Sequence, residues 1–231
     1  MNTAVNLEKY LSKILFFLSN QYKLGTESIS KIKELSSTLG VSPSVVREQL
    51  EVAKSLGLVE VKPRTGIKLL PYSFKPAIIQ SIAYAINIDN HYFDALSNLR
   101  NHIESCYWQE AVNQLTADDI TDLKALVDSA FTKLTSDPIT IPQLEHREFH
   151  IKIFQRLNNV YVLGILESYW EMYDAVGLNY YLDRSYLTRV WNYHKEMVSA
   201  IEKGDVMGGY QALLKHMNLM NTRTNQLNRF E

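Results

Sequence analysis

Glu34-Leu-Ser-Ser-Thr-Leu-Gly40-Val41-Ser42-Pro43-Ser44-Val45-Val46-Arg47-Glu48-Gln-Leu50 holds two helix signals with a very short turn between them. Lys31 to Leu39 reads as a short helix stopped at Gly40, because glycine enters the left-handed region without a Cβ clash. Ser42 then stands as an N-cap with Pro43 at the first helical position, and a second helix runs to about Leu56 before Gly57. Two helices joined at Gly40-Val41-Ser42 make a helix-turn-helix. Beyond it, Leu58-Val-Glu-Val61 and Ile67-Lys-Leu-Leu70 alternate apolar and polar residues around Pro63-Arg64-Thr65-Gly66, which predicts a β-hairpin. Before it, Leu7, Leu11, Ile14, Leu15 and Leu18 recur at three- and four-residue steps, predicting a helix over 7–18. The expectation is a winged helix-turn-helix over residues 1–72.

Such a helix enters the DNA major groove N-terminus first, which places Ser42, Ser44 and Arg47 toward bases and phosphates. Lys33 on the preceding helix and Arg64 with Gly66 in the wing would flank them as backbone contacts. Two alternatives stay open at this level. Arg47 can pair with Glu51 at i+4 as plain surface decoration, and winged helices also serve as protein-interaction modules.

Composition supports a helical, soluble chain. The 231 residues are 46% hydrophobic and 21% charged, with only 9 glycines and 6 prolines, a profile that argues against a disordered chain and against an all-β sandwich. The single cysteine, Cys106, excludes a disulfide framework and a cysteine-rich zinc module. No apolar run approaches the roughly 20 residues of a bilayer span, and Met1 to Leu7 lacks the order of a signal peptide. A cytoplasmic protein without a membrane partner is expected. The net charge of −1 hides an asymmetry: residues 1–75 carry 11 basic and 6 acidic side chains, the remainder 13 and 19. A basic N-terminal third on an acidic body suits a polyanionic partner such as double-stranded DNA.

Pro71 and Pro76 bracket a short linker, Tyr72-Ser-Phe-Lys75, after which the chain reads as helices almost throughout. Asn87 to Ala111 is amphipathic, with Phe93, Leu96, Leu99, Ile103, Tyr107 and Ala111 on one face. Thr116-Ala-Asp-Asp119 is a capping box opening the next helix. Helices are also expected over 143–157, from Val160 to about Leu178, over 185–203 and over 205–227. The fold class is therefore mainly α: the winged helix followed, over 78–231, by an all-α helical bundle.

Four of the six histidines have related placement. His146 and His150 lie four apart, so their rings leave one helix face and can chelate one ion. Gly204-Asp205 is a helix stop followed at once by an N-cap, so the last two helices fold back antiparallel. That leaves His194 and His216 nearly level, on the order of 15–18 Å from the turn at about 1.5 Å per residue. Three helices can thus converge four imidazoles inside the bundle, whereas His91 and His102 read as ordinary histidines.

The first third resembles the GntR family of bacterial transcription regulators, whose signature reads roughly L-A-x-x-L-G-V-S-R-x-x-V-R-E-A-L, then G-L-V and a P-x-x-G wing. The match covers most of residues 25–70. Pro43 stands where the family usually has Arg, which removes one customary DNA contact, and Ser36 stands where it usually has Ala. From about residue 78 to 228 the chain resembles the ligand-binding FCD domain of the FadR-like branch. The carrying residues are Leu99-Arg-Asn-His-Ile-Glu104, Leu115-Thr-Ala-Asp-Asp-Ile120, His146-Arg-Glu-Phe-His150 with Asn159, His194-Lys-Glu-Met-Val-Ser-Ala-Ile-Glu-Lys-Gly-Asp205, and His216.

The resemblance implies a dimeric, ligand-responsive regulator that binds a DNA operator and is not an enzyme. It also implies a divalent metal on His146, His150, His194 and His216 that helps hold a small carboxylate effector. His146 stands where the family has Asp, and Glu145 points about 100° away around the helix. Either His146 is itself a ligand, making an all-imidazole site, or metal binding is weakened. The all-imidazole set carries one negative charge fewer and shifts preference toward zinc, nickel or copper, with zinc or nickel the expected cofactor. Arg100 either clamps the effector carboxylate or pairs with Glu104 at i+4. Tyr169, Trp170, Tyr173 and Val176 are either core or pocket lining, with Tyr173 the chosen effector contact. Two rivals remain: a metal-free regulator with a larger apolar effector, and a metal-dependent enzyme, weakened because Glu148, the nearest candidate base, faces away.

Overall fold

The computed structural model describes residues 7–29, 31–62, 66–176 and 184–227. The chain divides into two compact units, Met1–Ala77 and Ile78–Glu231.

In the first unit a 3-10 turn, Glu8–Tyr10, precedes α1 (Lys13–Lys23), β1 (Ser28–Ile29), α2 (Ile32–Leu39), α3 (Pro43–Ser55), β2 (Val59–Lys62) and β3 (Gly66–Leu69). The helix expected over 7–18 begins later and runs further. Ser12 caps it by accepting the Leu15 N–H at 3.3 Å, and it continues to Lys23 before Gly25, whose φ of 73° only glycine adopts freely. Between α2 and α3, Gly40 takes the left-handed conformation at φ 62°, and Ser42 Oγ accepts the Val45 N–H at 3.3 Å. Ser36, the departure from the usual Ala, donates its hydroxyl to the Val41 carbonyl at 2.6 Å and pins the turn from inside. β2 and β3 pair antiparallel with Val59 opposite Leu69 and Val61 opposite Ile67. β1 adds a third strand to β3, with Ile29 opposite Ile67; two residues carry no periodicity from which to read it. Ile14, Leu18, Leu35, Val46, Leu50, Ala53, Val59 and Ile67 form this unit's core.

The second stretch comprises α4 (Lys75–Ile88), α5 (His91–Asn113), α6 (Ala117–Thr135), α7 (Gln143–Phe154), α8 (Val160–Ala175), α9 (Arg184–Glu202) and α10 (Val206–Leu227). The expected linker is shorter than its two prolines suggest, because Pro76 sits in the first turn of α4, where its missing N–H is no loss. The helix expected from Asn87 begins at His91 instead: Asn87 and Ile88 end α4, and the Asp89 carboxylate accepts the His91 N–H at 2.8 Å to start α5. The Thr116 capping box forms in full, with Thr116 Oγ1 accepting the Asp119 N–H and Asp119 accepting the Thr116 N–H. The end of α8 toward Leu178 lies outside the described residues. Trp108, Leu123, Phe149, Phe154, Leu166, Trp191, Met197 and Leu213 fill the centre of the bundle, and Phe93, Leu96, Tyr169, Trp170, Met172 and Tyr173 form a second cluster against α4.

Candidate metal centre and nucleic-acid interface

α7 brings His146 and His150 inward on one face, and the α9–α10 reversal supplies the other two rings. Gly204 (φ 71°) ends α9, and Asp205 Oδ1 accepts the Gly208 N–H at 2.8 Å, capping α10. That reversal sets His194 and His216 with ring centroids 4.5 Å apart. One ligand-capable atom from each of His146, His150, His194 and His216 lies within 4.8 Å of the others. His150, His194 and His216 are completely buried and His146 is 7% exposed.

The contacts fit a metal. His194 Nε2 lies 3.2 Å from His150 Nε2, and His146 Nε2 lies 3.5 Å from His216 Nε2. Tetrahedral ligands at about 2.1 Å from zinc sit about 3.4 Å apart, so both spacings suit a shared ion. His194 Nδ1 is 2.8 Å from the Val190 carbonyl; donating there leaves the Nε2 lone pair facing the cluster. Burial holds all four imidazoles well below their ordinary pKa, so they are neutral at pH 7 and their lone pairs are free to coordinate. Glu145, the nearest carboxylate in sequence, turns away to Lys133 and Ser129.

Arg100 and Glu104 adjoin the cluster from α5. Both are buried, and Arg100 Nε approaches Glu104 Oε1 at 2.8 Å, an ion pair off the direct hydrogen-bond line. Arg100 Nη2 reaches His150 Nδ1 at 2.8 Å, and Glu104 Oε2 lies 3.1 Å from the same nitrogen. Burial pushes the Glu104 carboxyl up to about 7 against the opposing pull of Arg100. The pairing of Arg100 with Glu104 that the i+4 spacing offers is present in this structure. Trp170 stacks on His150 at 4.8 Å, meets His146 edge-on at 4.7 Å, and keeps a buried indole N–H with no acceptor among the described residues. Tyr173 is buried, with its ring 6.0 Å from that of His146. Glu104 and Trp170 were legible as the i+4 partner of Arg100 and as part of an aromatic stripe, but neither pattern alone distinguishes a site from a core.

Asn159, part of the FCD resemblance, acts structurally, because its side chain accepts the Tyr161 and Val162 N–H groups and caps α8. His91 and His102 are exposed and lie apart from the quartet; His102 Nδ1 is 2.8 Å from the Asn98 carbonyl.

In the first unit Ser42, Ser44 and Arg47 are all exposed at the N-terminal end of α3, and Lys33 is exposed on α2. Glu51 pairs with Lys54 at 2.8 Å instead of forming the expected alternative with Arg47. Gly66 opens β3 at φ 90°. Arg64 lies outside the described residues.

The first unit is a winged helix-turn-helix with a three-stranded sheet, and the second is an all-α bundle with a buried histidine cluster. The FCD domain family matches residues 95–219. The chain belongs to the FCD-domain transcription regulators of the GntR family, which are regulators and not enzymes. It is 25% identical over 202 residues to the Uxu operon transcriptional regulator of Escherichia coli, covering 85% of this chain and 78% of that protein. Among solved structures it is similar in fold to Streptococcus agalactiae GntR, with a TM-score of 0.66 at 17% identity over 91% of this chain and 98% of that one. It is similar also to E. coli McbR/YncC, with a TM-score of 0.50 at 20% identity over 94% and 99%. No helix among the described residues is long and apolar enough to cross a membrane.

Proposed function

We propose that this chain is an operator-binding homodimer whose bundle holds a divalent metal, zinc or nickel, on His146, His150, His194 and His216, and through it a small carboxylate effector. The observation that carries the reading is four buried, neutral imidazoles from three helices converging within 4.8 Å. Four hydrogen-bonding rings gathered without another purpose would be costly to desolvate, and a shared cation repays that cost. When bound, the metal supplies a Lewis-acidic anchor for an anion. The chain's own residues orient it: His194 is fixed by Val190, and His150 by the Arg100–Glu104 pair. Tyr173 and Arg100 form part of the surroundings an effector would meet.

On the DNA side, Ser42, Ser44 and Arg47 read the groove from α3. Lys33, Arg64 and the backbone at Gly66 hold the phosphates, with Pro43 shaping the helix start where an arginine contact is customary. Effector binding biases the placement of the two DNA-reading heads and so their fit to the half-site spacing. Native mass spectrometry of protein purified without chelators tests the whole reading. A dimer carrying one divalent ion per chain is expected. A protein that arrives metal-free and takes up neither zinc nor nickel would overturn it.

A further inference from the structure

We propose that His146 makes this bundle selective for a doubly charged acid, a dicarboxylate, over a singly charged one. The inference rests on the metal reading above and goes on to the charge of the ligand. Among the described residues, the cluster able to hold the ion contains four imidazoles and no carboxylate. The nearest buried acid, Glu104, lies 2.8 Å from the buried Arg100 and so brings no surplus negative charge to the ion. A divalent ion placed there keeps both of its positive charges in a site whose side chains are buried, and an uncompensated buried charge is strongly disfavoured.

With an aspartate at position 146 one charge would be met by the protein and a monocarboxylate would meet the other. With His146 the ligand must bring two. The structure also offers the second acidic group a partner. Trp170 is 1% exposed, lies against His146 and His150, and has an indole N–H with no acceptor among the described residues. Buried donors are seldom left unpaired, and a second carboxylate on a metal-anchored acid is an acceptor of the right chemistry. A divalent ion held by four imidazoles would take the acid by expanding its coordination beyond four.

The test uses zinc-loaded full-length protein and isosteric pairs that differ by one charge: oxalate and oxamate, malonate and malonamate, succinate and succinamate. Zinc content is measured first, and binding is then followed by calorimetry. For at least one pair, wild type should prefer the dianion by about tenfold or more, the equivalent of 1.4 kcal/mol. His146→Asp should retain zinc and bring the pair toward equal affinity. His146→Asn, neutral and of the same shape as aspartate, should keep the preference for the dianion at whatever affinity remains, which controls for damage to the fold. Zinc-loaded wild type that binds each pair equally, or that binds none of these acids, overturns this inference and leaves the metal reading standing. Unchanged selectivity in His146→Asp overturns it as well, and absence of zinc uptake overturns both.

Discussion

Truncating His146 to alanine separates a four-histidine centre from one in which His146 is only a packed ring. In the structure His146 Nε2 is 3.5 Å from His216 Nε2, and its ring touches those of Trp170, His150 and His194 at centroid distances of 4.7 to 5.2 Å. Removing one buried ligand of four should weaken zinc about 100-fold, at the upper end of what even outer-shell substitutions cost. Free zinc at 100 times the wild-type Kd stabilises wild type by about 2.7 kcal/mol. The same zinc sits near the variant's Kd and stabilises it by only about 0.4 kcal/mol. For a bundle of this size each kcal/mol moves Tm by roughly 2–4 °C. The zinc-induced rise should therefore be about 5–10 °C in wild type and about 1–2 °C in His146→Ala. The cavity left by the ring costs on the order of 2 kcal/mol, but it lowers Tm with and without zinc alike. The difference between zinc and chelator, measured by calorimetry at neutral pH, is thus the quantity to compare. Equal zinc-induced shifts, or titrated affinities within about threefold, would refute His146 as a ligand and leave His150, His194 and His216 alone with the ion.

Four further variants have expected outcomes. Arg47→Ala should lose about 1–3 kcal/mol of affinity for a DNA fragment selected by the wild type, with unchanged helicity because Arg47 is exposed; equal gel-shift affinities would remove it from the interface. Hydrogen bonding from Arg156, and from Thr116, holds the Asp119 carboxyl well below its ordinary 3.8. Its contribution is therefore full above that pH and is lost as pH falls below it, so Asp119→Asn should flatten the acid limb of the stability curve, while Thr116→Ala should cost about 1 kcal/mol in urea melts at neutral pH. Gly209→Ala should destabilise the bundle by about 1–3 kcal/mol, because a Cβ there would lie 2.8 Å from the buried Trp108 ring; a Tm equal to wild type would show that the ring can move.

Local chemistry was enough for the elements with strong punctuation. Gly40, Ser42 and Pro43 mark the turn and the start of α3 in sequence because cap and left-handed residues act over three or four positions, and Thr116 with Asp119 does the same for α6. The approach of His194 to His216 was also readable, since a single reversal at Gly204-Asp205 and helical rise set their levels. Where local signals were weak or equivocal, tertiary structure decided. β1 exists only because β3 offers it a partner. The break between Ile88 and His91 was missed in the sequence because no glycine or proline marks it; the Asp89 side chain accepts the His91 N–H and starts α5 there. Arg100 shows the limit most clearly. Its spacing from Glu104 allowed a pair and its helix allowed an effector clamp, and periodicity is the same for both. The fold brings the pair about by burying both side chains beside His150, because an arginine taken out of water is stabilised by a carboxylate within reach; the effector role of Arg100 is decided by ligand binding and not by helical spacing.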